Sequence, residues 1–253
     1  MFKDRMDAVE TLELLQSVRT IEEVAHVEAD LVVYCAESDR DATSTLIPSS
    51  RSTPSIVVEN GVELATISYH TEAEHQALKK AVFGEASVAL FLGSWHEPNI
   101  EAVRVIIELA KVRPEIYFVI AGSVCDYFKE QQLNLPPNLL LLGVISDAQK
   151  SLLFGCADVA LNPMLSGSGT NIKMFDYLAA GIPVLSTPTG ARGIQLPPEG
   201  GAIRPVENFA DEILTMLCME RSASRRRFVE ADYSWATLAH RYANGLEAAL
   251  ERA

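Results

Sequence analysis

No apolar run in this chain approaches the roughly 18 residues that a membrane-spanning helix needs. The N-terminal segment MFKDRMDAVE mixes both charge signs from its start and has no apolar h-region, so it does not read as a signal peptide. Cysteine is scarce: Cys35, Cys125, Cys156 and Cys218 lie far apart and form no CxxC pair. They read as buried free thiols in a reducing cytoplasm, and no metal site is expected from them. The five histidines are equally scattered, with neither HExxH nor a paired spacing. No GxGxxG follows an early strand, which argues against a dehydrogenase. Positive charge is also in deficit. With 21 Lys and Arg against 34 Asp and Glu, the net charge is -13, which opposes nucleic-acid binding because phosphate backbones are held mainly by Lys and Arg. A small anionic ligand needs a locally positive site.

What is present has the balance of a soluble globular protein: 253 residues, 48% of them hydrophobic, are enough for one large or two small domains. Residues 1–28 place Met6, Val9, Leu12, Val18, Ile21 and Val24 at helical spacing, predicting two helical pieces. Residues 31–35 predict a strand, with a helix starting near Ser38. PSSRSTPS at 48–55 predicts a polar linker. Residues 56–58 predict a strand, Asn60-Gly61 a turn, and residues 70–80 an exposed helix.

From Ser87 the pattern is regular. Apolar strands are expected at 87–92, 116–121, 139–142 and 157–161, separated by amphipathic helices at 99–112, 125–132 and 147–154. Such alternation implies right-handed βαβ units and an α/β fold, a Rossmann-like parallel sheet with helices on both faces. Three of these strands end at Gly93, Gly122 and Gly143. Open α/β sheets bind ligands outside the carboxyl ends of their strands, so the three glycines should converge there. Beyond Ala202-Ile203-Arg204, helices are expected at 206–219, through Arg225, Arg226 and Arg227, and at 234–252. In so acidic a chain the arginine triplet reads as a solvated helix end.

The rest is organised around NPMLSGSGTNIKMFDYLAAGIPVLSTPTGARGI, residues 162–194. It reads as a Gly/Ser loop, a helix, an apolar strand at 183–185 and a second glycine-bearing turn. Ser166, Gly167, Ser168 and Gly169 can bring backbone N–H groups close to a ligand, and Thr170 or Asn171 can cap the helix. Uncovered N–H groups at a helix start favour anions. Lys173 sits in the first turn, where the dipole disfavours a cation unless something anionic lies nearby. Asp176 shares its face, whereas Ile172, Phe175 and Ala179 suit packing on a sheet. A plainer reading makes Lys173 and Asp176 a solvated ion pair worth a few tenths of a kcal/mol.

From about Asp30 onward, ADLVVYCAESDRD, IVVENGVEL, FLGSWHEPNIEAV, YFVIAGS, NLLLLGVISD, the central stretch and SWATLAHRY follow one another in a familiar order. In this the chain resembles the retaining glycosyltransferases of the family 4 (group 1) type, which have the two-domain GT-B fold. The resemblance implies three parts: residues 1–55 as the remnant of an N-terminal acceptor-type domain and linker, 56–233 as the sugar-nucleotide (donor) binding domain, and 234–253 as a crossing helix. It also implies exposed apolar surface on residues 1–55, and with it self-association.

By the same resemblance the function is hexosyl transfer from a nucleotide-diphosphate sugar, with the acceptor site supplied by a partner chain or a further domain. The alternatives are a non-catalytic sugar-nucleotide-binding module and a sugar-nucleotide epimerase. The family's E-x7-E pattern falls on Ser168 and Asp176, Asp176 being assigned to the ribose hydroxyls. Gly169, Thr170 and Asn171 would meet the diphosphate or sugar. Gly93, Ser94, Gly122, Ser123, Gly143 and Val144 complete the donor set, the base lying near Gly122-Ser123 and Gly143 to Ile145. Many relatives carry an Arg and a Lys after the first strand of this domain. Ser94 and Pro98 stand near those positions here, which leaves Lys173 and Arg192 as candidates for the catalytic charge on the departing diphosphate. His96 reads as a loop histidine. Neither metal nor cofactor is expected, and the protein is expected in the cytoplasm.

Overall fold

The computed structural model describes residues 8–131, 133–167 and 169–251. The chain divides into two units, residues 1–59 with 239–253, and residues 60–238.

The smaller unit begins with α1 (Ala8–Glu28), a single helix and not two pieces. No Pro or Gly interrupts those 21 residues, so nothing breaks the backbone ladder. Its apolar side chains Leu12, Leu15 and Ile21 are largely exposed. β1 (Val32–Tyr34), α2 (Glu37–Leu46) and β2 (Ser55–Val57) follow, the two strands pairing in parallel with Val33 opposite Ile56. The expected linker is ordered instead as a 3-10 turn over Pro48–Ser52, with Ser50 buried. A parallel pair needs a crossover, and α2 with this turn supplies it. Asn60-Gly61 forms no turn. A side chain on Gly61 would meet Leu238 and Trp235 at 2.8 Å, so close packing is what that glycine serves.

The larger unit runs α3 (Glu72–Phe83), β3 (Ser87–Leu92), α4 (Glu97–Val112), β4 (Ile116–Ala121), α5 (Val124–Glu130), β5 (Leu139–Gly143), α6 (Asp147–Cys156) and β6 (Val159–Asn162). It continues through α7 (Lys173–Ala179), β7 (Val184–Ser186), β8 (Gly201–Ile203), α8 (Phe209–Met216) and α9 (Ala223–Tyr233), before the C-terminal helix Trp235–Leu250. Six strands form one wholly parallel sheet in the order β5-β4-β3-β6-β7-β8. Side chains alternate along each strand, which splits the core in two. Ala89, Phe91, Phe118 and Ile120 face one layer with α4, α5 and α8, whereas Val88, Leu90, Val119 and Ala121 face the other with α6, α7 and α9. Both faces of the sheet are therefore covered, as its continuous apolar strands require.

Several expectations need correction. α3 is not simply an exposed helix: its capping box joins Thr71 and Glu74, but His75 is 3% exposed and bonded to Gly155 O and Asp158. Burial works against the charge on Asp158, yet hydrogen bonds from His75, Lys79 and the Val88 amide hold its carboxyl below the usual range. Ile172, expected on the sheet, is exposed. Among the cysteines, Cys125 and Cys156 are buried, whereas Cys35 and Cys218 are exposed.

The arginine triplet needs correction at Arg225 and Arg226, whereas Arg227 is exposed as expected. Arg225 is 2% exposed and donates to the carbonyls of Glu199, Gly181 and Glu220. Arg226 donates to Ile67, Ala179 and Leu64, and the preceding Arg221, also buried, donates to Ala180, Phe154 and Ala157. These acceptors include the ends of α6 and α7, where the last carbonyls of a helix have no partner of their own. Buried guanidinium groups supply those missing donors, so Arg221, Arg225 and Arg226 fasten helices.

Candidate functional site

The connections β3-β4-β5 build the sheet in one direction and β6-β7-β8 in the other, so β3 and β6 flank the point where the order reverses. Loops leave such a point on opposite sides and a crevice opens at the carboxyl edge. Here it is a cavity of about 430 Å³. Leu92, Gly93 and Ser94 line it from the end of β3, Ala121, Gly122 and Ser123 from β4, and Val144 and Ile145 from β5. Asn99 of α4, Lys150 of α6, and Lys173 and Asp176 of α7 complete the wall.

The strand ends are tied together by backbone contacts, and at Gly122 these demand glycine. Gly122 adopts φ +107, and a Cβ there would stand 2.1 Å from the Gly93 carbonyl oxygen. The Gly122 N–H donates to Gly143 O at 2.7 Å, Val124 N–H to Gly93 O at 3.2 Å, and Trp95 N–H to Ser123 Oγ at 2.8 Å. Gly143 thus supports the floor without lining the cavity.

Lys173 opens α7, and its Nζ donates to Asn99 Oδ1 at 2.7 Å. It lies 4.2 Å from the Phe91 ring centroid and 3.9 Å from Met164 Sδ. The residue as a whole is only partly buried, but its ammonium is enclosed by these groups, none of them a carboxylate. Burial pushes its pKa down to about 7. The amide of Asn99 also donates to Ser94 O at 3.0 Å, so one side chain links the loop after β3 to α7.

Asp176 does not pair with Lys173. Its Oδ2 receives Lys150 Nζ at 2.6 Å, and its Oδ1 takes no hydrogen bond among the described residues. The solvated Lys173–Asp176 pair of the plainer reading is therefore absent.

The central loop lies beside the cavity. Ser168 falls outside the described residues. Gly169, Thr170 and Asn171 do not line the cavity, nor does Arg192. Arg192 donates Nε and Nη2 to Gly169 O at 3.2 and 2.9 Å, clamping the glycine loop to the turn after β7. Ile172 holds the N-cap position of α7, and Asn171 donates to Gly190 O at 3.0 Å. α7 is only 7 residues long, so its dipole adds little beside the Lys173 charge. His96 occupies the N-cap position of α4 without bonding to it through its side chain.

Two polar members of the wall, Asn99 and Lys150, were not singled out from the sequence. Both occupy early helical positions following a strand, where polar residues are common, so nothing marked them. Among the described residues no group of three or more His, Cys, Asp or Glu could hold a metal ion. No described helix is long and apolar enough to cross a membrane.

The family model "Glycosyl transferases group 1" matches residues 86–219, more than half of the chain and all of the cavity wall. The chain belongs to the group 1 glycosyltransferases. This glycosyltransferase chain is 27% identical over 158 residues to the phosphatidyl-myo-inositol mannosyltransferase of Mycolicibacterium smegmatis, covering 60% of the chain and 39% of that protein. To the Mycobacterium tuberculosis protein of the same name it is 28% identical over 173 residues, covering 61% and 45%. It thus spans less than half the length of these curated relatives. Among solved structures, sucrose-phosphate synthase (tll1590) from Thermosynechococcus elongatus superimposes with a TM-score of 0.77 at 16% identity, covering 94% of this chain and 63% of that one. Anabaena Alr3699/HepE in complex with UDP and glucose gives 0.70 at 15% identity, covering 92% and 67%. At such identities these likenesses establish the fold, that of the GT-B glycosyltransferases.

Proposed function

We propose that residues 60–238 bind the nucleotide-diphosphate sugar of a retaining hexosyltransferase. The observation that carries this reading is an enclosed cation, Lys173, and an accessible carboxylate, Asp176, on one wall of the switch-point cavity. A nucleoside diphosphate presents complementary groups: phosphates for the ammonium and ribose hydroxyls for the carboxylate. The exposed apolar side chain of Val144, with Ile145 and Ser123, offers a wall for the base. Family membership and the UDP held by a fold neighbour support the same reading.

In this reading Lys173 neutralises charge on the departing diphosphate, whose phosphate oxygen takes the electron pair of the broken anomeric bond. The acceptor hydroxyl forms the new bond on the same face, and its proton passes to the released diphosphate. Asp176 orients the ribose, and Gly169, Thr170 and Asn171, kept in place by Arg192, border the sugar. The acceptor side comes from a further domain or a partner chain, and the reaction belongs to the cytoplasm.

Calorimetric titration with UDP, GDP and ADP, alone and as sugar conjugates, tests the proposal. Selective binding of one nucleotide, weakened at least tenfold in Asp176→Ala, is expected. A well-folded protein that binds none of them would refute it.

A further inference from the structure

Asp176 is not alone at the cavity wall. Lys150 reaches it from α6, with 2.6 Å between Nζ and Oδ2, and the two side chains are 30% and 19% exposed. The Lys150 ammonium also lies 5.3 Å from the ring centroid of Phe154, one helical turn on, so Phe154 borders the pair. An ion pair this accessible contributes little to stability. What it does is geometric. It engages one carboxylate oxygen, restrains the side-chain torsions of Asp176, and leaves Oδ1, on a side chain that lines the cavity, without a hydrogen bond among the described residues.

We propose that Lys150 is a positioning residue that presents the Asp176 carboxylate to the cis-diol of a ribonucleotide and so makes the site selective for ribose over sugars lacking those hydroxyls. The inference rests on the donor-site reading above and deepens it. A carboxylate free to rotate loses torsional freedom when it meets a diol; one already held by Lys150 does not. The preference should therefore depend on Lys150 only when the hydroxyls are present. Lys150 acting directly on phosphate would instead affect every nucleoside diphosphate equally.

The test compares wild type, Lys150→Met and Lys150→Arg by calorimetry. The probes are UDP, GDP and ADP together with their 2′,3′-dideoxy counterparts. For the nucleotide that wild type binds, Lys150→Met is expected to weaken the ribo form about tenfold while leaving the dideoxy form unchanged, and Lys150→Arg to restore most of the loss. Asp176→Asn provides a second route: the loss from Lys150→Met should vanish in that background. Equal loss on ribo and dideoxy forms, or additive losses in the double variant, would overturn the proposal. Wild type that binds no nucleotide refutes the donor-site reading itself, and this inference with it. Wild type that binds while Lys150→Met is silent removes only the inference.

Discussion

The ammonium of Lys173 meets the amide oxygen of Asn99 at 2.7 Å and, among the described residues, no carboxylate. The nearest acidic residue on its helix, Asp176, is engaged by Lys150. A lysine enclosed in this way bears the cost of desolvation without an opposite charge to offset it. Its pKa falls to about 7 for that reason alone.

Lys173 should therefore link pH to both stability and binding. Between about 7 and its ordinary value of 10.5, the unfolded chain binds a proton here that the folded chain does not. Stability then rises with pH through that window, and the destabilisation is fully present below it. An entering diphosphate favours the charged form, so its affinity should fall as pH rises above neutrality, with proton uptake on binding. Urea titrations and calorimetry in buffers of different ionisation enthalpy, at pH 6.5 and 8.5, check both signs. The Lys173→Met variant should lose the extra pH dependence; identical profiles in wild type and variant would dismiss Lys173 as the source.

Gly122→Ala is expected to destabilise the larger unit by about 2–4 kcal/mol, because strain at positive φ adds to a backbone clash. The added Cβ meets Gly93 O at 2.1 Å, and neither strand end can retreat without breaking the sheet edge. Thermal unfolding measures the loss, and the surviving folded fraction should bind nucleotide poorly. An unchanged melting temperature would show that the two strand ends are not in contact.

Arg221→Met should cost about 3–5 kcal/mol, since it removes the donors for three buried carbonyls, those of Phe154, Ala157 and Ala180. Burial lowers the pKa of Arg221 to about 10, against opposing effects of Asp158 and Glu72, so the guanidinium stays charged at neutral pH. Denaturant unfolding reads the cost. Nucleotide affinity measured well below the new melting temperature should change little, because Arg221 does not line the cavity. A loss of affinity without a loss of stability would contradict the fastening role.

Strand positions and the edge at which the cavity opens were legible in the chain itself. A parallel sheet buried on both faces needs continuous apolar runs, and residues 87–92, 116–121 and 139–143 supply them without ambiguity. Gly93, Gly122 and Gly143 marked the carboxyl edge, and at Gly122 a Cβ would meet the Gly93 carbonyl oxygen at 2.1 Å. What a linear pattern cannot carry is the choice of partner. Lys173 and Asp176 stand three apart on one helix and looked like a pair, yet the fold brings Lys150 and Asn99 from other helices into better reach. Arg225 and Arg226 looked like a solvated helix end, yet tertiary packing sets them against orphan carbonyls, where charge and five N–H donors suit a buried place. Local periodicity determines an element and its apolar face. Which polar group a side chain meets depends on where distant elements dock, and only the tertiary structure decides that.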